Sequence, residues 1–146
     1  MSERTVLQSM SRRDVLSLGP LASVRDAACA MTRANCGSVL IIEGAGPMVG
    51  ILTERDLMTR VLAKGLDADA TPVTQVMTRN PRCVAPETKV ADAVVIMIER
   101  GFRHLPIVAE GGRILGVFSI RDALPRELNA AASLADFNEQ VNDALG

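Results

Sequence analysis

The sequence predicts an α+β fold of two β-α-β-β-α repeats, packed with pseudo-twofold symmetry. Residues 116–122 repeat residues 50–56, since both read glycine, two apolar residues, a hydroxyl, a spacer, arginine and aspartate. Residues 24–56 and 90–122 share nine identities at a constant spacing of 66, where average composition gives about two. Each copy also combines one helical apolar stripe with two short β-branched runs, which is typical of mixed α and β structure.

The first helix of each repeat is predicted from apolar residues at positions i, i+3, i+4 and i+7. In the first repeat the stripe consists of Val24, Ala27, Ala28 and Met31. In the second repeat it consists of Val90, Ala93, Val94 and Met97. Ser23 and Asp26 have the spacing of a capping box, so we expect the first of these helices to begin there.

Strands are predicted around each of these helices. A short strand precedes each one, at 15–18 and at 82–84. An antiparallel hairpin follows each one, because two apolar runs are separated by a glycine-rich turn. The hairpins pair 38–43 with 48–52 and 105–109 with 114–118. A second helix is expected after each hairpin, at 54–63 and at 120–128, with an interruption at Pro125.

The repeat also predicts the domain boundaries. Segments 5–10 and 72–77 resemble each other, and we expect each to lead into its own repeat. The predicted parts are repeat 1 at 5–65, a linker at 66–71, repeat 2 at 72–128 and a C-terminal helical tail at 129–146. The tail carries an apolar stripe, so it should pack on the rest of the chain or on a partner subunit. The stripe is Leu134, Phe137, Val141 and Leu145.

Composition limits the classes of function. The 146 residues carry a formal net charge of −1, which disfavours a broad surface for nucleic acid or anionic membrane. No apolar run approaches the length of a membrane span and no secretory signal is visible, so we expect a cytoplasmic protein. Cys29, Cys36 and Cys83 lack Cys-x-x-Cys spacing. They are expected to be small buried hydrophobes, with a thiol sensor as the alternative.

The repeated motif allows two interpretations. A hydroxyl followed three residues later by aspartate forms a capping box without any ligand. However, an arginine in the first turn of a helix opposes the macrodipole, and a bound anion would relieve that opposition. Aspartate can also accept hydrogen bonds from a ribose diol, so the motif suits a ribose phosphate. The residues concerned are Thr53, Arg55, Asp56, Ser119, Arg121 and Asp122.

The two copies differ just before the hairpin. The second repeat has Arg103 and His104 at the positions where the first repeat has Gly37 and Ser38. His104 is the only histidine, and a single histidine is more often a packed or surface residue than a catalyst. Arg103 and His104 could nevertheless supply positive charge to a phosphate. We therefore expect two unequal sites, of which the second favours the more negatively charged ligand.

Four segments together resemble the signature segments of tandem cystathionine-β-synthase (CBS) domains, which form a Bateman module. They are residues 50–56, 74–81, 101–108 and 116–122, and the resemblance covers roughly residues 5–128. It implies binding of an adenosine-containing ligand, such as AMP, ADP, ATP, NAD or S-adenosylmethionine, in clefts between the two repeats. No cofactor is required by this interpretation.

The resemblance also assigns roles to residues. Asp56 and Asp122 would hold ribose hydroxyls, Thr53 and Ser119 would lie near ribose or phosphate, and phosphate would be met by Arg103 and His104. The adenine pocket of each site would come from the sister repeat. The residues expected to face the Asp122 site are Ser11, Asp14, Leu16, Cys36 and Gly37. Those expected to face the Asp56 site are Thr78, Asn80 and Phe102.

The predicted function is a non-catalytic regulatory sensor that forms a homodimer and acts alone or on a separate protein target. The alternative is a structural or protein-interaction dimerisation module with vestigial ligand sites. A nucleotide hydrolase using His104 is disfavoured, because the sequence shows no paired base, no recognisable nucleophile and no metal-ligand spacing.

Overall fold

The computed structural model describes residues 3–10 and 14–145, which divide between two compact units. The central unit is Asp14–Pro81, and the terminal unit combines Met1–Arg13 with Arg82–Gly146. Both units mix helices with strands, so the predicted α+β class is confirmed.

The elements are numbered in chain order. The helices are α1 (Val6–Ser9), α2 (Val24–Ala34), α3 (Glu54–Asp56), α4 (Val73–Val76), α5 (Val90–Arg100) and α6 (Pro125–Leu145). A π-helical segment, Leu57–Leu62, continues α3, and a 3₁₀ turn, Ile120–Asp122, follows the last strand. The strands are β1 (Ser17–Leu18), β2 (Ser38–Ile42), β3 (Met48–Thr53), β4 (Thr78–Arg79), β5 (His104–Val108) and β6 (Ile114–Ser119).

The central unit contains a four-stranded sheet in the order β1-β2-β3-β4. Strand β2 is parallel to β1 and antiparallel to β3, and β4 is antiparallel to β3. Ile41 and Leu52 are fully buried, and they share one core with Met31 of α2 and Val73 of α4. The apolar positions that predicted the elements therefore also form the core of this unit.

The terminal unit is built around the antiparallel pair β5 and β6. Val84 pairs in parallel with Ile107 as an isolated bridge, in place of the strand predicted at 82–84. Phe118 and Val90 are fully buried, and Val6 of α1 belongs to the same core. Both predicted hairpins are confirmed, although the β5 and β6 bounds shift by one residue relative to the prediction.

Local sequence explains the bounds of the first helices. Ser23 caps α2, accepting a hydrogen bond from the Asp26 amide, while the Asp26 carboxylate accepts one from the Ser23 amide. The predicted capping box is therefore confirmed. Helix α2 ends at Asn35, which adopts the left-handed conformation with φ 53°, and Gly101 ends α5 with φ 76°. The predicted burial of Cys29 on α2 is wrong. This residue is exposed, because it lies outside the apolar stripe of the helix.

Each lead-in segment packs in the unit that is built mainly from the other repeat. The amide of Val6 donates to the carbonyl of Thr88 at 2.8 Å, whereas the amide of Val73 donates to that of Ala22 at 2.9 Å. The N-terminal lead-in therefore belongs to the terminal unit, and the second lead-in belongs to the central unit. The second lead-in stays with the central unit because the connection after the π-helical segment is short. It returns the chain to β3, where Thr78 pairs with Ile51. The predicted boundaries at 65, 72 and 128 follow the sequence repeats, whereas the two compact units divide the chain elsewhere.

The second helices of the two repeats differ. In the central unit, α3 and the π-helical segment together cover the helix predicted at 54–63. In the terminal unit, the 3₁₀ turn ends at Asp122 and the next helix begins only at Pro125, so the predicted interruption is confirmed. Pro125 begins α6, because proline lacks the amide that a helix interior needs but suits a first helical position. Helix α6 continues through the predicted tail and packs on α5, where Asn138 donates to Glu99 at 3.3 Å.

The glycine that begins each motif faces a lead-in methionine. A Cβ added to Gly50 would lie 2.5 Å from Sδ of Met77, and one added to Gly116 would lie 2.7 Å from Sδ of Met10. Each glycine therefore leaves room for the methionine that closes its unit.

We predict that Gly50→Ala destabilises the protein. The added Cβ would also lie 2.7 Å from the carbonyl oxygen of Thr78, which cannot move without disturbing the pairing of β3 with β4. We expect a loss of about 1–3 kcal/mol in the free energy of unfolding, measured by urea denaturation. The control is Gly19→Ala, because nothing lies within 4 Å of its added Cβ. Equal stability of the two variants would contradict the prediction.

Candidate functional site

The central motif is formed where β2 begins and β3 ends. Ser38 is the register partner of Thr53, and the amide of Glu54 donates to the carbonyl of Gly37 at 3.0 Å. Asp56 is 9% exposed, and its carboxylate lies beside these groups. The hairpin register therefore brings Gly37 and Ser38 to the motif of their own repeat.

The Asp56 carboxylate already has several partners inside the protein. Its Oδ2 accepts hydrogen bonds from the amide of Thr53 at 2.9 Å and from the hydroxyl of Thr53 at 3.0 Å. Its Oδ1 lies 3.7 Å from Nε of Arg60, which is four residues further along the same helix. Both oxygens of Asp56 are therefore engaged before any ligand is considered.

The terminal motif has the same arrangement with different side chains. His104 is the register partner of Ser119, and the amide of Ile120 donates to the carbonyl of Arg103 at 3.0 Å. Oδ2 of Asp122 accepts from the amide of Ser119 at 3.1 Å. Asp122 is half-buried and Arg103 is exposed. The backbone of Arg103 and His104 thus lies beside the Ser119–Asp122 turn at one end of the β5–β6 hairpin.

The capping-box interpretation of both motifs is confirmed, since each hydroxyl and each aspartate bonds across its own turn. The argument from the helix dipole fails for the terminal motif. Its turn is only three residues long, and no dipole of a long helix opposes Arg121 there. Arg55 and Arg121 are both exposed. What remains for function is the cluster of polar side chains, rather than a helix end.

The residues predicted to line an adenine pocket are placed as follows. Within the central unit, Leu16, Cys36 and Thr78 are partly buried, while Asp14 and Asn80 are exposed. In the terminal unit, Phe102 is 37% exposed. Ser11 lies outside the described residues. Their contact with a ligand stays a prediction.

Sequence reasoning missed Arg60, which ties the central motif to the second lead-in. Its guanidinium donates to the carbonyl of Val76 at 2.9 Å while facing Asp56. The spacing of four between Asp56 and Arg60 on a predicted helix was a signal that could have found this pair.

Sequence reasoning also missed the ion pair between Arg4 and Glu127 in the terminal unit. Nε and Nη2 of Arg4 donate to the two carboxylate oxygens of Glu127, at 3.1 and 2.7 Å. Nη2 also donates to the carbonyl of Asp122 at 3.0 Å, and Glu127 accepts from the amide of Leu124 at 2.7 Å. The hydrogen bond from Arg4 lowers the pKa of Glu127, and burial opposes this effect.

Across 3–10 and 14–145, no cluster of three or more histidine, cysteine or acidic side chains has the arrangement of a metal site. Over that same part of the chain, no helix combines the length and the apolar character that crossing a bilayer requires.

Both repeats match the same known protein family. The pattern of the CBS domain matches residues 7–63 and again residues 73–127. The chain belongs to the CBS domain family. As a tandem CBS pair, it carries one capped aspartate motif inside each match, which confirms the resemblance predicted from the repeat.

Relatives of this CBS pair are known in archaea and bacteria. An uncharacterised 17.7 kDa protein of Acidianus ambivalens is 36% identical over 81% of this chain and 70% of its own length. A putative signal-transduction protein with CBS domains from Burkholderia ambifaria has 31% identity and a TM-score of 0.74, with 80% and 86% of the two chains covered. The CBS domain protein PAE2072 of Pyrobaculum aerophilum, solved in complex with AMP, has 25% identity and a TM-score of 0.78 over 89% and 99% of the chains.

We predict that Glu127 makes stability sensitive to acid. Because its pKa is lower in the folded protein than the ordinary value of 4.5, its ionised form stabilises the fold above that value. The contribution is lost as the pH falls through the lower folded value. The free energy of unfolding of Glu127→Gln, relative to the unaltered protein, should therefore show its largest deficit near neutral pH.

Urea denaturation between about pH 7 and about pH 3 measures this difference. The control is Glu3→Gln, which removes an acid whose ion pair with Lys89 is exposed, and whose effect should be small throughout. A deficit for Glu127→Gln that stays constant over the whole range would contradict the prediction.

Proposed function

We propose that this CBS pair is a non-catalytic regulatory module that binds an adenosine-containing ligand, either AMP, ADP, ATP, NAD or S-adenosylmethionine. The observation that carries the proposal is the cluster of residues at the end of the β5–β6 hairpin, where Asp122 bonds to Ser119 and the backbone of Arg103 and His104 lies alongside. A carboxylate accepts hydrogen bonds from ribose hydroxyls, and basic side chains attract phosphate. The cluster thus offers both kinds of group that a nucleotide needs.

The terminal motif is the stronger of the two proposed sites. Asp122 is half-buried, so its remaining lone pairs are within reach of a ligand, whereas Asp56 is 9% exposed and faces Arg60. Gly37 and Ser38 also bring no charge to the central motif. We therefore propose that ligands with more phosphate charge prefer the Asp122 motif.

The comparisons support this proposal by analogy. The Pyrobaculum relative was solved with AMP, and the Burkholderia relative is described as a putative signal-transduction protein. Regulation requires that the ligand bind one conformation of the module better than another. We propose that this difference is transmitted to a separate protein target.

A second candidate function is a dimerisation or protein-interaction module, and the outer face of α6 favours it. Leu134, Phe137 and Val141 are 40%, 61% and 38% exposed, and they lie on one stripe of the helix. Three exposed apolar side chains on one helix are the kind of surface that a partner subunit covers. We propose a homodimer in which this stripe is buried, and the two functions are compatible.

We predict that Asp122→Asn weakens nucleotide binding about tenfold or more, because hydrogen bonds to a charged acceptor are worth about 1.5–3 kcal/mol. Isothermal titration calorimetry with AMP, ATP, NAD and S-adenosylmethionine measures the affinities. Asp56→Asn should have the smaller effect. The control Asp143→Asn removes an exposed acid near the end of α6 and should change nothing.

A companion variant separates ribose from phosphate recognition. Arg103→Ala should weaken ATP binding more than adenosine binding, because only the former carries phosphate charge. Absence of binding by any of these ligands at submillimolar concentration, together with an Asp122→Asn variant that behaves like the unaltered protein, would overturn the proposed function.

We predict that Phe137→Glu lowers the molar mass in solution from that of a dimer to that of a monomer, since it places a charge in the proposed interface. Size-exclusion chromatography with light scattering measures the mass. Leu21→Glu is the matched control, because Leu21 is 96% exposed in the central unit. A dimer that persists in Phe137→Glu would exclude the stripe as its interface.

A further inference from the structure

The Arg4–Glu127 pair breaks the symmetry between the two units. The amide of Val90 donates to the carbonyl of Arg4 at 3.0 Å, and the amide of Val24 donates to the carbonyl of Thr71 at 2.9 Å. Because Val24 and Val90 are repeat partners, Thr71 occupies in the central unit the place that Arg4 has in the terminal unit.

The repeat counterpart of Glu127 also lacks the charge. Sixty-six residues before Glu127 lies Val61, which is 6% exposed in the core of the central unit. Thr71 is also 6% exposed. The central unit therefore has valine and threonine where the terminal unit has a partly buried ion pair. Apolar replacement of such a pair is often neutral for stability, so stability alone does not explain why the pair is present.

The contacts of the pair point to the turn that carries Asp122. Arg4 donates to the carbonyl of Asp122, and Glu127 accepts from the amide of Leu124, so the pair holds the backbone on both sides of Ala123. In the central unit no such break follows the motif, because Asp56 continues directly into the π-helical segment. In the terminal unit the helix is broken at this point, and the turn has only three residues.

We propose that Arg4 and Glu127 are positioning residues for the ligand site at Ser119 and Asp122. They hold the 3₁₀ turn in the geometry that presents the Asp122 carboxylate, so ligand binding there depends on the N-terminal segment. Among the described residues, the central motif has no ion pair with its lead-in, because Arg60 bonds there only to backbone carbonyls. This inference rests on the proposed function for its ligand, but the ordering of the turn is a property of the protein alone.

The test replaces the pair by its counterpart from the central unit, in the double variant Arg4→Thr/Glu127→Val. Hydrogen–deuterium exchange compares the amides of 120–124 with those of 54–58. We expect exchange at 120–124 to rise about tenfold or more while exchange at 54–58 is unchanged, because local opening no longer breaks charge-assisted hydrogen bonds. Calorimetry should show about tenfold weaker nucleotide binding, with the loss confined to the Asp122 site.

Two single variants keep the test decisive if the double variant does not fold. Glu127→Gln retains an acceptor for the Leu124 amide but loses the charge, and Arg4→Lys retains the charge but not the bidentate geometry. We expect both to give intermediate exchange, and Arg4→Lys to recover part of the affinity. Glu3→Gln, which affects an exposed ion pair of the same N-terminal segment, should match the unaltered protein.

The outcomes separate this inference from the proposed function. Unchanged exchange at 120–124 in a folded double variant would overturn the positioning role. If exchange rises but nucleotide affinity does not fall, the pair orders the turn without serving the ligand, and the inference is again overturned. If the unaltered protein binds no nucleotide, the proposed function fails, while the exchange measurement still decides whether the pair orders the turn.

Discussion

The structure depends on the exchange of lead-in segments between the two sequence repeats. The amides of Val6 and Val73 make equivalent hydrogen bonds, to Thr88 and to Ala22, each in the unit built mainly from the other repeat. Met10 and Met77 then fill the space left by Gly116 and Gly50. Neither hairpin has a complete core without its lead-in, because both Val6 and Val73 are fully buried.

Against this common framework, the two units differ where function is proposed. In the central motif, Asp56 is bonded to Thr53 and faces Arg60 of the same continuous helical segment. The terminal motif is more open and lies beside Arg103 and His104, and its turn is supported from outside by an ion pair. The more exposed motif is therefore also the one whose backbone is held by an ion pair. This combination is expected where a ligand has to reach a carboxylate and the carboxylate has to keep its orientation.

Much of the fold could be predicted because its signals are local. The stripe of α2, its Ser23 cap and the glycine-rich hairpin turns each lie within about a dozen residues, the range over which periodicity and turn chemistry act. The lead-in exchange could not be predicted, because 5–10 and 72–77 are similar enough to suit either unit. In the site, hairpin register follows from sequence, so His104 falls opposite Ser119. The Arg4–Glu127 pair spans 123 residues, and no local pattern reports such a contact.

The exchange has a consequence for synthesis on the ribosome. Every segment of the central unit is available once Pro81 has been made, since Asp14–Pro81 is continuous. The N-terminal segment, by contrast, has to wait for α5 and β6, so the side chains of Val6 and Met10 stay uncovered while more than half of the chain is added. Chains fold from the N-terminal end during synthesis, and transiently exposed apolar segments promote aggregation and misassembly. Residues 3–10 are thus made well before the segments that cover them.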